Sequence, residues 1–347
     1  MAGTEFGLNS YNTRKAWSQK TFTETIGKTF ISQFLGTSDE AGLVMLPDLE
    51  KSAGDRIRVP LIANLTGDGV VGAGVLDGAE EALIDYHDDL VINLLRNGVE
   101  IPGRITEQRT LINLREQARK GLQKWYKVRQ EVSWLNQLAG NTAETRIEYT
   151  GLNPVTAPDA DHLYLPESVG TEASVSTKAA SANMKLEYID DLIGMAKTAD
   201  PIIQPMMVNG QEMYGFIMHT DQETEFFKAT SNSEFFSLQK AVIQGGEIRR
   251  NPIFTGALGV YKNVILYSSN YIPLAPSLTT VRRAVFFGAQ SSAIAFGKAD
   301  GGMKMFWDEK KSDYNDKYGV AVGMLYGVKK LVFNSKSIGV IVCPTTV

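Results

Sequence analysis

The chain has 347 residues, a hydrophobic fraction of 43%, a charged fraction of 21% and a formal net charge of −4. These values are typical of an ordinary folded protein, and the charge excludes a strong electrostatic footprint for nucleic acid. The single cysteine, Cys343, excludes an internal disulfide framework and a multi-cysteine metal site, and its apolar neighbours predict a small buried side chain. Residues 1–10 lack a signal-peptide pattern and no run of about 18 apolar residues occurs, so we expect cytoplasmic synthesis and no membrane partner.

Residues 1–53 are predicted to form an N-terminal arm with short helices. Apolar side chains recur every four residues, at Phe22, Ile26, Phe30 and Phe34, and form a narrow stripe. The sequence leaves open whether this stripe covers a neighbouring subunit or the chain's own sheet. We expect no long leader that proteolysis would remove from this end.

Residues 54–102 are predicted to form a two-stranded arm. Ile57, Val59 and Leu61 alternate with other side chains in the first strand, residues 55–63, and a second extended run covers residues 82–95. Between them, five glycines within residues 67–78 forbid a regular element. Because an isolated hairpin is marginal in water, we expect something outside the arm, most naturally a neighbouring subunit, to hold it.

Residues 105–138 are predicted to form one long helix, the spine helix, with Thr106 as its N-cap and Gly140 as its stop. Its length would be roughly 50 Å at about 1.5 Å per residue. Steps of three and four residues place the apolar side chains on one face. These are Leu111, Leu114, Ala118, Leu122, Trp125, Val128, Val132, Leu135 and Leu138. Trp125 and Trp134 are interpreted as packing residues, not as a platform for stacking bases.

The remaining elements do not alternate regularly between strand and helix, which favours an α+β fold over a doubly wound sheet. Residues 141–183 are polar and predicted to be a surface loop or small insertion. A helix is predicted at 184–199, ended by Asp200-Pro201. The other predicted elements are helical runs at 223–229 and 234–243 and strands at 214–219, 260–268, 281–289, 328–333 and 338–342.

The glycine segment contains the spacing Gly67-x-Gly69-x-x-Gly72, which matches a dinucleotide-binding fingerprint. That fingerprint needs a helix that begins at its end, so that backbone N–H groups meet the pyrophosphate. Further glycines follow at once, with Asp77 among them, and leave no room for a helix. A nucleotide-binding enzyme therefore stays as an alternative, and we predict no cofactor.

Two acidic groups on the arm could be mistaken for chemical sites. His87 and Asp89 share one face of a strand while Asp88 points away, so a solvated acidic strand is favoured over a metal site. Glu80 and Glu81 lack an apolar frame that would raise a pKa, and are interpreted as a charged loop flank. We predict no catalytic residue and no metal ligand.

Several sequence blocks occur in order along the chain. They are TRKAWS at 13–18, FLG at 34–36, GD at 54–55, LTGDGV at 65–70, LDGAEE at 76–81, NPIFTGALGVY at 251–261 and FGAQ at 287–290. With the arm and the spine helix, they resemble the major capsid proteins typified by the N-four-like tailed phages.

The resemblance implies the Hong Kong 97-like capsid fold and the major capsid protein of a double-stranded DNA tailed phage. Such subunits form hexamers and pentamers of an icosahedral virion shell, assembled in the host cytoplasm around DNA that they enclose without sequence-specific binding. Portal and scaffolding proteins and a decoration or cement protein are the implied partners. A prokaryotic nanocompartment shell of the same fold is the alternative.

The family architecture implies five regions in this chain. They are an N-terminal arm at 1–53, the extended loop or two-stranded arm at 54–102, the spine helix and a peripheral-domain loop at 103–183, an axial domain at 184–280, and C-terminal strands at 281–347 that close the peripheral and axial domains.

Charge is distributed unevenly between the arm and the spine helix. Residues 52–100 contain nine acidic and three basic residues, whereas residues 104–131 contain eight basic and three acidic ones. We therefore predict that the arm of one subunit docks on a neighbour's spine helix. The predicted contacts are Asp68, Asp77, Glu80, Glu81 and Asp85 on the arm and Arg115, Arg119, Lys120 and Lys124 on the spine. No lysine lies between Lys51 and Lys120, so the arm lacks an amine for covalent cross-linking and we expect a non-covalent shell.

Overall fold

A computed structural model of the chain describes residues 30–46, 54–62, 67, 69–72, 77, 80–101, 103–109, 112–208, 210–229, 257–298, 304–314 and 316–347. The α-helices are α1 (Arg104–Arg109), α2 (Leu114–Leu138), α3 (Glu172–Thr177), α4 (Leu186–Thr198) and α5 (Thr220–Ala229). The strands are β1 (Leu35–Gly36), β2 (Leu43–Leu46), β3 (Arg56–Ile62), β4 (Asp85–Val91), β5 (Asn93–Ile101), β6 (Met206–Val208), β7 (Gln211–Met218), β8 (Gly259–Tyr261), β9 (Val264–Ser268), β10 (Val281–Phe287), β11 (Ser292–Phe296), β12 (Met305–Ser312), β13 (Lys317–Lys330), β14 (Val332–Phe333), β15 (Lys336–Ser337) and β16 (Val340–Thr346). The predicted helix at 234–243 and the first half of the apolar stripe, Phe22 and Ile26, lie outside these residues. In the described part of the chain, no helix is long and apolar enough to span a bilayer.

The first sheet is built around β13, its longest strand. β5, β11 and β12 each pair with β13 antiparallel, and β2 and then β1 extend the sheet beyond β11 through parallel pairs. Alternate side chains of β13 are buried against α2, as a period of two along a strand requires. These side chains are Val320, Val322, Met324, Tyr326 and Val328.

The second sheet has the strand order β16-β10-β7-β9-β8, with β6 pairing with β7. Helices α4 and α5 cover one of its faces, where Leu192 and Phe226 pack with Phe216, Phe286 and Cys343 of the sheet. Cys343 is fully buried, and its burial raises the pKa of the thiol. The prediction of a small buried cysteine is therefore confirmed, as is a mixed α+β architecture.

A shared core lies between the two sheets, around α2. The ring of Phe34 stacks on Trp134 of α2 with centroids 5.5 Å apart, and meets Tyr267 and Phe287 of the second sheet edge-on, each at 5.1 Å. Phe30 contacts the Tyr267 ring at 5.3 Å. The described half of the N-terminal stripe thus covers the chain's own core, which settles a question that the sequence left open.

The predicted single helix at 105–138 is wrong at its N-terminal end. Helix α1 ends at Arg109, and a new helix, α2, begins after Asn113, whose extended backbone and side-chain acceptor for Glu116 N–H (3.1 Å) make it the N-cap. Thr106 lies inside α1. Gly140, with a φ of +61°, follows the last turn as predicted.

Three other predicted elements are divided by turns. The run at 82–95 changes partners at Ile92, so that β4 pairs with β3 and β5 with β13. The strand at 260–268 turns back on itself after Lys262, whose φ is +49°, and becomes the hairpin β8–β9. The run at 328–333 contains the end of β13 and then β14, which pairs with β15. The predicted loop at 141–183 contains α3 and several short 3-10 turns that bury side chains such as Leu152 and Val175.

The C-terminal end of α2 is held by a buried arginine of β10. Arg283 donates from Nη1 to the carbonyl oxygens of Ala139 (3.0 Å) and Gly140 (2.6 Å), and from Nε and Nη2 to the carboxylate of Glu172 (2.6 Å each). Since carbonyls at a helix C-terminus lack intrahelical donors, this contact satisfies them while neutralising Arg283.

Lys330 is buried nearby without a salt bridge among the described residues. Its Nζ donates to the carbonyl oxygen of Thr156 at 3.0 Å, and its side chain is 1% exposed. Burial lowers the pKa of Lys330 to about 8, with Asp159 opposing that shift and Arg283 adding to it. An unfolded lysine has a pKa of about 10.4. Between these values the unfolded chain binds more protons, so this group makes the free energy of unfolding rise with pH.

We predict that Lys330→Met removes this pH-dependent term. The free energy of unfolding would be measured by chemical denaturation at pH 7, 8 and 9 for the wild type and the variant. The buried Cys343 thiol makes this free energy fall with pH in both chains, so the difference between the two chains isolates the effect of Lys330. The free energy of unfolding of the variant, relative to that of the wild type, should be higher at pH 7 than at pH 9. A difference in unfolding free energy between the two chains that does not change with pH would contradict the assignment.

Candidate functional site: the arm and the spine helix

The two strands of the arm pair in a fixed register. β3 and β4 are antiparallel, with Arg58 opposite Asp89 and Pro60 opposite His87. Arg58 Nε lies 3.0 Å from Asp89 Oδ1, and Arg56 Nη1 lies 3.3 Å from Asp89 Oδ2. The hydrogen bond from Arg58 holds the pKa of the Asp89 carboxyl below its usual range. His87 on this face is exposed, as the predicted solvated strand requires, whereas Asp89 is half-buried and paired with the two arginines.

The opposite face of the same strand carries a different contact. Asp88 Oδ1 binds the ammonium of Lys329, and Asp88 Oδ2 accepts the Val332 N–H at 3.2 Å. Lys329 also donates to the carbonyl oxygen of Asp89 at 3.0 Å. The side chains of Asp88 and Lys329 are only 11% and 15% exposed. Asp88 therefore points away from Asp89 as predicted, but the interpretation of a wholly solvated acidic strand is wrong for it.

The root of the arm is also fixed to its own chain through Asn153 and a small apolar cluster. Asn153 accepts the Val91 N–H at 3.0 Å and donates to the Val91 carbonyl oxygen at 2.9 Å, which satisfies both backbone groups where β4 ends. Ile57 and Leu90 of the arm are buried in a cluster with Phe333 of β14 and with Ala293 and Ala295 of the first sheet. As expected, something outside the arm holds it, but at the root this is the rest of the same chain and not a neighbouring subunit.

The tip of the arm presents apolar side chains to solvent. Val71 is 91% exposed and Leu83 69% exposed, with Val70 and Ile84 also exposed. Glu81 Oε2 accepts the Gly67 N–H at 2.6 Å, which joins the two sides of the tip. Asp77, Glu80, Glu81 and Asp85 are exposed, whereas Asp68 lies outside the described residues. An exposed apolar tip on a fixed root is suited to contact with another molecule.

Two glycines of the arm have left-handed backbone conformations. Gly69 and Gly72 have φ values of +71° and +67°, which favour glycine over other residues. In the described residues that follow, 77 and 80–84, no helix occurs before β4 begins at Asp85. No group of three or more potential metal-ligating side chains is found in the described residues either.

On the spine helix α2, the four predicted contact residues divide into two pairs. Arg115 donates to Glu309 Oε1 of β12 at 2.8 Å from Nε, and Arg119 is 3% exposed and lies 3.2 Å from Glu116 Oε1. Their charges are thus met within the chain. Lys120 and Lys124 are exposed, although Lys120 Nζ also lies 3.9 Å from Glu116 Oε1.

Sequence reasoning missed three residues of this region. Asn153 and Lys329 fix the arm root, and Arg129 of α2 stacks on aromatic rings, its guanidinium carbon 3.9 Å from the Tyr149 centroid. The sequence of Asn113 followed by Glu116 before an apolar run is a capping signal that would have located the start of α2. The contacts of Asn153 and Lys329 span 62 and 241 residues and leave no local signal.

Comparisons with known proteins agree on one architecture. The family model described as "Phage capsid protein" matches residues 5–347. The major capsid protein of Pseudomonas phage KPP25 is 24% identical over 96% of this chain and 93% of its own length. Among solved structures, the capsid of Ralstonia phage GP4 has a TM-score of 0.82 and 27% identity, covering 99% of this chain and 98% of that one. The capsid asymmetric unit of Cyanophage Pam1 has a TM-score of 0.71 and 21% identity, covering 100% and 99%.

An arm fixed at its root, a spine helix and two sheets that share one core define a shell subunit of the Hong Kong 97-like fold, as the capsid structures with the same architecture confirm. The match over nearly the whole length then identifies the family, and the chain belongs to the phage capsid proteins.

We predict that Lys329→Met loosens the arm at its root. The loss of one charge-assisted contact to Asp88 should cost about 1.5–3 kcal/mol locally. Amide hydrogen exchange in β3 and β4 should accelerate, whereas exchange in α2 should stay as in the wild type. Lys310→Met, at an exposed position of β12, is the matched control. Unchanged protection of β4 in the Lys329 variant would show that the root is held by other contacts.

Proposed function

We infer that this chain is the major capsid protein of a tailed bacteriophage, and that its role is structural. The observation that carries the inference is the family match over residues 5–347, combined with an arm, a spine helix and two sheets in the arrangement of solved phage capsids. Many copies of such a subunit form the shell of the virion.

The finer assignments follow the resemblance of the sequence and are part of the proposal. The subunits form hexamers and pentamers of an icosahedral head assembled in the host cytoplasm, and the head encloses double-stranded DNA. A portal protein and a scaffolding protein take part in assembly, and a decoration or cement protein binds the finished shell. The net charge of −4 is compatible with a wall that encloses DNA without gripping it.

The regions proposed from the sequence are assigned to the two sheets. We propose that the sheet around β13, with α2, is the peripheral domain, and that the sheet around β7, with α4 and α5, is the axial domain. The C-terminal strands contribute to both, because β10 and β16 belong to the second sheet and β11, β12 and β13 to the first.

A nanocompartment shell is the second candidate, since it shares the fold by resemblance. The family match and the relative from Pseudomonas phage KPP25 both favour the phage assignment. The neighbouring genes would separate the two candidates: portal and terminase genes indicate a phage, whereas a cargo-enzyme gene indicates a nanocompartment.

The first prediction of this function is self-assembly. The full chain, expressed alone or with its scaffolding protein, should sediment as capsomers or closed particles visible by negative-stain electron microscopy. Leu83→Asp should lower the particle yield without changing the melting temperature of the unassembled chain, because Leu83 is 69% exposed in one subunit. A monomer that is thermally stable at high concentration under both conditions would contradict the proposed function.

The arm and the spine helix are proposed to meet between subunits through complementary charge. The exposed acids of the arm, Glu80, Glu81 and Asp85 among them, would face the exposed lysines of a neighbour's α2. Arg115 and Arg119 meet carboxylates of their own chain and are half-buried or buried, whereas Lys124 is exposed and Lys120, 3.9 Å from Glu116, keeps a side chain that is 57% exposed, so these two lysines are the proposed spine cations. Each exposed pair is worth only roughly 0.2–1 kcal/mol, but the contact repeats at every subunit.

We predict that Glu80→Lys with Glu81→Lys impairs assembly, and that adding Lys120→Glu with Lys124→Glu partly restores it. Assembly of the wild type should also weaken as salt rises, because exposed charges are screened within about 10 Å at 0.1 M ionic strength. Particle yield would be followed by light scattering. If the four-fold variant assembles no better than either double variant, charge pairing does not join these surfaces.

A further inference from the structure

Strand β5 carries an Asn-Gly step at the edge of the first sheet. Asn97 is half-buried, Gly98 is exposed, and the two lie in the middle of the strand. β13 pairs with one side of β5, and no other described strand pairs with its second side. The step therefore lies at an edge that is open in the single subunit.

Asn97 holds its side chain next to the backbone nitrogen that follows it. The Gly98 N–H donates to Oδ1 of Asn97 at 2.9 Å. Because Oδ1 is bonded to Cγ, this contact brings the side-chain carbonyl carbon close to the Gly98 nitrogen. These are the two atoms that join when an asparagine cyclises on its own backbone.

Such a cyclisation needs only water as a second reactant. The Gly98 nitrogen loses its proton to base and attacks Cγ of Asn97, the bond from Cγ to the side-chain nitrogen breaks, and ammonia leaves. The product is a five-membered succinimide ring. Water then opens the ring at either carbonyl group and leaves an aspartate or an isoaspartate at position 97. In the isoaspartate, the main chain runs through the former side chain.

The glycine at position 98 makes ring closure accessible. An extended backbone holds the Gly98 nitrogen out of line with Cγ, so the ψ torsion of Asn97 must rotate while β5 opens locally. Glycine has no side chain to obstruct that rotation or the attack, and it adopts torsions that other residues avoid. Because β5 pairs with one described strand, only the ladder to β13 opposes the opening.

The same strand contains a matched site without a glycine. Asn93 is exposed, and its Oδ1 accepts the N–H of Leu94 at 2.7 Å. The two asparagines thus share a strand and a side-chain contact, and Asn93 is the more exposed of the two. They differ in the residue that follows, because the branched side chain of Leu94 crowds the attacking nitrogen. Exposure alone favours reaction at Asn93, whereas succinimide chemistry favours Asn97.

We propose that Asn97 is a site of spontaneous deamidation, in which Gly98 closes a succinimide ring on it and water opens that ring. An isoaspartate there adds one carbon to the backbone of β5. The pairs on the two sides of position 97, such as Leu95 with Met324 and Val99 with Val320, then cannot both keep their register. β5 leads from the arm to α1 and α2, so the altered backbone lies between the arm and the spine helix. This inference does not depend on the proposed function.

Peptide mapping of the folded full chain tests the proposal. The chain would be incubated at pH 7, 8 and 9 in water enriched in the heavy oxygen isotope, digested with trypsin and analysed by mass spectrometry. Cleavage after Arg96 separates Asn97 from Asn93, and the chain's other Asn-Gly step, Asn209-Gly210, falls in a third peptide. A sample digested without incubation gives the background.

We expect aspartate and isoaspartate to form at position 97 about tenfold faster than at position 93, which corresponds to a barrier lower by about 1.4 kcal/mol. Each product should carry one heavy oxygen atom, and the rate should rise with pH because the attacking nitrogen must lose its proton. After incubation, the wild type should contain a fraction with a lower melting temperature.

Two variants complete the test. Asn97→Gln should abolish the reaction at position 97 and the low-melting fraction, because glutamine would have to close a slower six-membered ring. Leu94→Gly should transfer the reaction to Asn93. An Asn97 that stays intact in the folded chain while the urea-unfolded chain converts would overturn the proposal. So would aspartate formed without isoaspartate, an Asn93 that reacts as fast as Asn97 in the wild type, or a Leu94→Gly chain in which Asn93 stays intact.

Discussion

The contact between Arg283 and the end of the spine helix is the interaction on which the rest of the subunit depends. One guanidinium binds the last carbonyl groups of α2 and the carboxylate of Glu172 together, and it projects from β10 in the second sheet. It thereby fixes the spine helix, which packs on the first sheet, to a strand of the second sheet. Removing either partner of such a buried pair leaves an unmatched charge in the interior, which typically costs about 3–5 kcal/mol.

The aromatic cluster continues this connection along the helix. Trp134 donates from Nε1 to Ser292 Oγ of the first sheet at 2.8 Å, while its ring lies 5.7 Å from that of Phe287 in the second sheet. Tyr126 lies about two turns before Trp134 on α2, and its hydroxyl donates to the carbonyl oxygens of Leu95 and Val322. Polar atoms of large side chains are thus satisfied while their rings fill the space between the sheets, so that the two sheets behave as one support for the arm.

The sequence predicted the helices and strands that have a regular apolar repeat, and it missed the features that depend on contacts between residues far apart in the chain. The alternation of Ile57, Val59 and Leu61 and the three-and-four spacing from Leu122 to Leu138 predicted β3 and most of α2. The break before Asn113 was missed because the apolar period continues through it. Arg115 and Arg119 were predicted as contacts between subunits, since a sequence gives the charge of a residue but not the acceptor that meets it. Glu309, which binds Arg115, lies 194 residues away. Whether the arm docks on the spine helix of a neighbour stays a prediction.

The root of the arm, held by Lys329 and Asn153, gives the arm the mechanics of a cantilever. Lys329 holds Asp88, which pairs with Val59, so three pairs of the ribbon, from Pro60–His87 to Ile62–Asp85, extend roughly 10 Å beyond the clamp at about 3.3 Å per residue. A rotation of about 5° at that clamp would move the far end of these pairs by roughly 1 Å. In the proposed closed shell, where neighbours meet at slightly different angles, small rotations about this joint would adapt the arm to each neighbour without refolding the core of the subunit.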